Sequence, residues 1–269
     1  MSDPGRRPAL AFLTAIPIAM LGGLIGLGGA EFRLPVLAGP LGYPAKRAVP
    51  LNLVISLVTI VTAFATRGRS LSLSVIVPLI VPIIAMVTGA LVTAFAGTAI
   101  TLRVSNEQLE RVVLVLLLAI GSALIVESLL PQRVAALVPD VFVWRFSAGL
   151  VAGLCIGLVS SMLGVAGGEL IIPTLIFAFG ADIRAAGTAS LLISLPIVLV
   201  GVIRYGLRGS LSDRQDLAQT VAPMAVGSII GAILGALLVG VLSPSVLKAG
   251  LGVILIISAV KIFSHKKHK

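Results

Sequence analysis

Cysteine, histidine and charge are scarce in this chain. Its one cysteine, Cys155, excludes an intrachain disulfide; in an apolar run, a lone thiol reads as packing. The two histidines, His265 and His268, both lie in the terminal stretch HKKHK (265–269), so no metal-ligand cluster can be drawn from the sequence. Charged residues make up 11% of the chain, against about 25% in a soluble domain. GxxxxGK[ST], HExxH and GxSxG are all absent, so no ATPase loop, zinc-protease helix or nucleophile elbow is expected. The chain reads as a non-enzyme without a cofactor.

Apolar sequence fills the space that charge vacates. Hydrophobic residues make up 58% of the 269, and mean hydropathy is +1.17. Apolar runs fall near 9–28, 44–66, 74–96, 109–130, 142–165, 185–204, 217–241 and 246–263. Each approaches the roughly 20 residues that cross a bilayer as a helix. Ten-residue alternating segments of a membrane barrel are missing. The fold class is all-α: a polytopic membrane protein of about eight main transmembrane helices. The start, MSDPGRRPALAFLTAIPIAM, has the basic-then-apolar order of a signal peptide, but no convincing cleavage site follows, and it reads as an uncleaved first helix.

The net charge of +10 would suggest nucleic acid in a soluble protein. Here Lys and Arg are expected in cytoplasmic loops, and the basic tail 264–269 beside acidic lipid headgroups. No nucleic-acid partner is expected.

The chain matches itself at a shift of 138 residues. GLGGAEFRLP (26–35) lies over GVAGGELIIP (164–173), and NLVISL (52–57) over SLLISL (190–195), with 11 identities in the 32 positions spanned. Gly26, Gly29, Glu31 and Pro35 match Gly164, Gly167, Glu169 and Pro173. The organisation is a first repeat at 1–130, a linker at 131–141 and a second repeat at 142–263. Ala9–Pro40 and Val141–Gly180 are nearly free of charge and too long for one span, with glycine in the middle of each. A broken or re-entrant helix fits that length. Two such hairpins make the repeats inverted, the arrangement preferred over a parallel one. The positive-inside rule does not separate the two: both place 13 Lys/Arg inside and six outside, Arg33 omitted, with both termini cytoplasmic.

Irregular backbone at membrane depth is tolerated where it is buried in protein or lines a cavity. Gly28, Gly29, Gly167 and Gly168 are expected to form such backbone, with Pro35 and Pro173 reinforcing the break. A short helix starting near Glu31 or Glu169 aims free N–H groups at the centre, which suits an anion. The two carboxylates could cap those N–H groups, carry a coupling proton or bind a cation. Arg33 has no basic counterpart, since Ile171 takes its place; it could face substrate or reach for the interface. Asn52, Thr188 and Ser190, at the start of the next helix, could donate to an oxyanion; Ser56 and Ser194 match there too, and Lys46 and Arg184 mark its mouth or the membrane edge. Gly149, Gly153 and Gly157, and Gly227, Gly231 and Gly235, recur every four residues and read as close-packed helix faces.

The duplicated Gly-rich/Glu/Pro motif, followed by the A-x-G-T-x-S start of the next helix (Ala185 to Ser190), resembles the TauE/SafE family of sulfite exporters across both halves. The resemblance implies a carrier in the bacterial or archaeal cytoplasmic membrane for sulfite, sulfoacetate or another small sulfur-containing or organic anion. It points to Gly29, Glu31, Pro35 and Asn52, and to Gly167, Glu169, Pro173, Thr188 and Ser190. The first half departs at Pro50–Leu51–Asn52, so equivalent contacts from both halves are not expected. Two other readings compete: a Na⁺ or Ca²⁺ exchanger using Glu31 and Glu169, and a non-transporting scaffold built on the glycine faces. The coupling proton or ion, the direction of transport and a homodimer stay open.

Overall fold

The computed structural model describes residues 6–71, 73–100, 106–129, 136–163 and 166–264. Gly164, linker residues 131–135 and tail residues 265–269 lie outside the described residues. Among those described there are ten helices and no strand. The first half holds α1 (Arg6–Ile25), α2 (Ala30–Ala38), α3 (Ala45–Ser70), α4 (Ile80–Ile100), entered through a 3₁₀ turn at Leu73–Leu79, and α5 (Asn106–Leu129). The second holds α6 (Phe142–Leu163), α7 (Gly168–Phe177), α8 (Ile183–Leu207), α9 (Arg214–Leu238), with a π-turn at Leu217–Val221, and α10 (Pro244–Ser264). Among the described residues, six helices are long and apolar enough to cross a membrane: α1, α3, α4, α6, α8 and α9.

Length and punctuation explain the two short helices. The nine residues of α2 span about 14 Å, less than half a hydrocarbon core. Its N-cap, Gly29, has φ 75°, and that of α7, Gly167, has φ 76°. An L side chain is strained there, so glycine is what lets the chain turn at these two points. Gly42 and Gly180, with φ 70° and 68°, bend the chain again after each short helix.

Contacts at the helix ends fix the path. The Arg7 guanidinium lies 5.9 Å from the centre of the Tyr43 ring and donates to Leu41 O at 3.4 Å. The chain leaving α2 thus returns to the end where α1 began. Likewise Leu137 N and Val138 N, just before α6, donate to Phe177 O (3.1 Å) and Ala178 O (2.9 Å) at the end of α7. Helix α3 then runs antiparallel to α8: a Cβ on Gly201 would stand 3.1 Å from Leu53 at one end, while Arg67 bonds Thr188 at the other. One end of the bundle collects the starts of α1, α3 and α9; we call it the α1 face. The opposite end collects the starts of α6 and α8; we call it the α6 face.

Glycine rows set the packing. Helix α9 lies on α1, and a Cβ on Gly227 would meet Phe12 O at 2.5 Å, while those on Gly231 and Gly235 would run into Ile16 O and Met20 O. Helix α6 lies on α4 in the same way, with Gly149 over Pro82, Gly153 over Met86 and Gly157 over Ala90. Gly121 of α5 faces Gly252 of α10, where a Cβ on either would come within 2.9 Å of the other's carbonyl oxygen. Between lipid-like surfaces, such backbone approach maximises dispersion contact. Outward-facing Val61, Ile84, Ile203 and Leu234 are exposed, as suits a lipid-facing surface. Cys155 is exposed as well, so the packing role expected of it is not one of burial; its neighbours in the glycine row, not the thiol, make the helix contact.

Candidate functional site

The two breaks meet. Residues 26–30 and 166–173 are all buried. A Cβ on Gly168 would stand 3.0 Å from Leu27 Cα, and one on Gly28 would lie 3.9 Å from Ala166 Cβ. Gly26, with φ 100°, rests its backbone on Gly187 of α8. The starts of α2 and α7 are therefore brought to one junction, flanked by the antiparallel pair α3 and α8. Neither start is capped by a side chain.

Glu31 and Glu169 sit in the first turns of α2 and α7, where the helix dipole favours a negative group. Both oxygens of Glu31 are buried without a hydrogen-bond partner among the described residues. Its carboxylate feels the charges of Glu169 and Arg33, so the two glutamates share one electrostatic environment. Arg33 does not form an ion pair with Glu31 among the described residues. Two residues apart, the side chains diverge around the helix, and Arg33 turns towards α3. It is fully buried there, donating through Nη1 to Asn52 Oδ1 (3.3 Å) and Ser56 Oγ (2.9 Å), and through Nη2 to Thr59 Oγ1 (3.0 Å). Positions 52, 56 and 59 share one face of α3. Asn52 Nδ2 also donates to Ala30 O at 3.1 Å, tying α3 to the first turn of α2.

In the second half Ile171 replaces Arg33, and Ile197 stands where Thr59 would be. Ser194 Oγ donates to Ala166 O at 3.2 Å, on the residue leading into the second break. Ser190 lies between Gly187 and Ser194 on the same face of α8. Its hydroxyl is fully buried and has no hydrogen-bond partner among the described residues. Thr188 is already engaged: its hydroxyl donates to Arg184 O (2.8 Å) and accepts from Arg67 Nη1 (3.0 Å). Pro35 and Pro173 lie inside α2 and α7. The turns themselves fall upstream, on the glycines, because a proline six residues into a helix only removes one later N–H. Lys46 is exposed at the α1 face, and Arg184 is half-buried at the α6 face, donating to Leu242 O at 2.8 Å.

Sequence reading passed over Thr59 and Arg67. Arg67 is buried to 1% exposure in the last turn of α3. Its Nε donates to Gly23 O (3.2 Å) and its Nη2 to Gly23 O (2.9 Å) and Leu24 O (2.9 Å). These are carbonyls of the C-terminal turn of α1, where a cation is favoured. An arginine near the end of an apolar run looks like an interface anchor, so the available signal was its position four residues before Leu71, still inside the helix.

The sequence profile of the family described as "Sulfite exporter TauE/SafE" matches residues 10–262 of this chain. No curated protein gives a significant match.

Proposed function

The chain belongs to the sulfite exporter TauE/SafE family, and from that premise we propose that it is a secondary carrier exporting sulfite or a related small organosulfonate anion. The family consists of transporters, and the apolar helices make this a multi-pass membrane protein. The observation that carries the reading to a site is the meeting of the two breaks, which brings two uncapped helix starts to one buried junction. Free N–H groups there suit the oxygens of an anion, and the Ser190 hydroxyl is available to donate. Gly28, Gly29, Gly167 and Gly168 give the backbone room to approach. Asn52, Arg33 and Thr188 act one layer behind, holding the backbone and helices that frame the substrate. Glu31 and Glu169 shape the site or carry a coupling proton.

In this reading the two halves are inverted repeats, one entering from each face, and they expose the site alternately to the two sides. The hairpin return of α2 and α7 supports the inversion. Among the described residues the α1 face carries more Lys and Arg, which supports a cytoplasmic side there. The scaffold reading loses its surfaces, since the glycine faces at 149–157 and 227–235 are covered by α4 and α1.

Thermal unfolding in detergent, with sulfite, sulfate, thiosulfate, sulfoacetate, chloride, Na⁺ and Ca²⁺ at matched ionic strength, tests this reading. A ligand that binds only the folded state raises the midpoint. A rise with sulfite or a sulfonate that is lost in Ser190→Ala supports the carrier and leads to flux assays in oriented vesicles. A rise with a cation alone, lost in Glu31→Gln, would overturn it.

A further inference from the structure

Two polar clusters join the halves at opposite ends of α3. At the α6 face, Arg67 of α3 reaches Thr188 of α8 while holding the last carbonyls of α1. Gly187 leaves room for the guanidinium: a Cβ there would stand 2.9 Å from Arg67 Nη1. No carboxylate pairs with Arg67 among the described residues. Its charge is met by neutral oxygens alone, all of them on elements that frame the first break. At the α1 face, the Tyr43 hydroxyl donates to Asp216 Oδ1 (2.9 Å) and lies 2.8 Å from Thr220 Oγ1. Burial raises the Tyr43 phenol above its ordinary range, and a phenol is in any case a donor at neutral pH. Arg47 adds ion pairs to Asp213 and Asp216, each at 3.6 Å. The π-turn at Leu217–Val221 falls on this cluster, and such turns recur where helices must adjust. From Tyr43 to Arg67 the distance along α3 is about 36 Å, close to the full depth of a membrane, with the junction between them.

We infer that Arg67 is the positioning residue that closes the substrate junction towards the α6 face, through its bond to Thr188, and that the Tyr43–Asp216–Thr220 cluster closes it towards the α1 face. Each clasp links the first half to an element of the second. Opening either face requires its own clasp to part while the other holds. Arg67 suits this because its fork carries one bond across the seam and three within the first half. Losing the cross-bond would free α8 without releasing α1.

The inference rests on the alternating-access reading. Its test is accessibility measured separately from each side. In the full chain carrying Cys155→Ser, Ser190→Cys places a reporter at the junction, and a charged, membrane-impermeant thiol reagent is applied to one face of oriented vesicles. Thr188→Val removes the cross-bond and leaves the Arg67 contacts with α1. It is expected to raise labelling from the α6 face about tenfold, the scale of one lost charge-assisted hydrogen bond, with no rise from the α1 face. Tyr43→Phe is expected to do the reverse. Equal increases from both faces, or none, would overturn the clasps. Labelling requires no substrate, so the two readings fail separately. Sided labelling without sulfite flux would remove the substrate and keep the clasps. Sulfite flux with unsided labelling would remove the clasps and keep the carrier.

Discussion

The same bend is stabilised in two chemically different ways. At the first break, a buried arginine clamps α2 to three polar side chains of α3. At the second, Ile171 and Ile197 both belong to one buried apolar cluster, and Ser194 reaches back to the chain before the bend. The glycine φ angles at the two N-caps, 75° and 76°, agree closely, and both residues are left-handed. Backbone geometry is therefore common to the two sites, and the side chains behind it are free to diverge. A polar clamp fixes register through its hydrogen bonds but requires burying a charge. An apolar wall avoids that cost, and nearby a hydroxyl, Ser190, has no hydrogen-bond partner among the described residues.

Exchanging the two solutions gives the largest effect. Ile171→Arg buries a guanidinium within an apolar cluster, and roughly 3 kcal/mol or more of destabilisation is expected. The readout is loss of monodisperse protein on extraction; a well-behaved variant would mean the second half tolerates the first half's chemistry. Removing the clamp comes next. Arg33→Leu removes the donors to Asn52 Oδ1, Ser56 Oγ and Thr59 Oγ1 and leaves Asn52 Nδ2 on Ala30 O and Thr59 Oγ1 on Ile55 O, and about 2–3 kcal/mol should be lost in thermal unfolding. A shift below about 0.5 kcal/mol would show the clamp to be ornamental. The helix seams, by contrast, should respond alike. Gly153→Ala and Gly231→Ala each drive a methyl into a facing carbonyl, at a cost of about 1–3 kcal/mol, and unequal midpoints would reveal an asymmetry hidden in the backbone. Smallest in stability is Ser190→Ala, within about 0.5 kcal/mol of the parent. Its expected signature is a lost sulfite-dependent rise in midpoint. Asn52→Ala should lose stability first, since its amide holds both Arg33 and Ala30.

The apolar runs were legible because a bilayer demands long, uninterrupted hydrophobic segments. The breaks were legible because few residues other than glycine tolerate the left-handed turn, and Gly29 and Gly167 fall where length alone required an interruption. The close-packed rows were legible for the same reason: only glycine allows carbonyl and Cα to touch across a seam. The partners of the polar side chains were not. Arg33 could have faced Glu31, the interface or the substrate, and the choice of α3 depends on how two helices rotate against each other. Tyr43 and Asp216 are 173 positions apart, and no local pattern links them. Thr188 was read as a donor for substrate, yet its proton belongs to Arg184 O and its lone pair to Arg67; that depends on the antiparallel crossing of α3 and α8.

The exchange of partners between the halves, α1 on α9 and α6 on α4, also bears on how the protein is made. Helix α9 leaves the ribosome roughly 200 residues after α1, some 10 to 40 s later at common synthesis rates. Through that interval the face of α1 that will receive Gly227, Gly231 and Gly235 meets only lipid or the insertion machinery. The first half is thus an intermediate with an open seam, and the seam closes only when the chain is nearly complete.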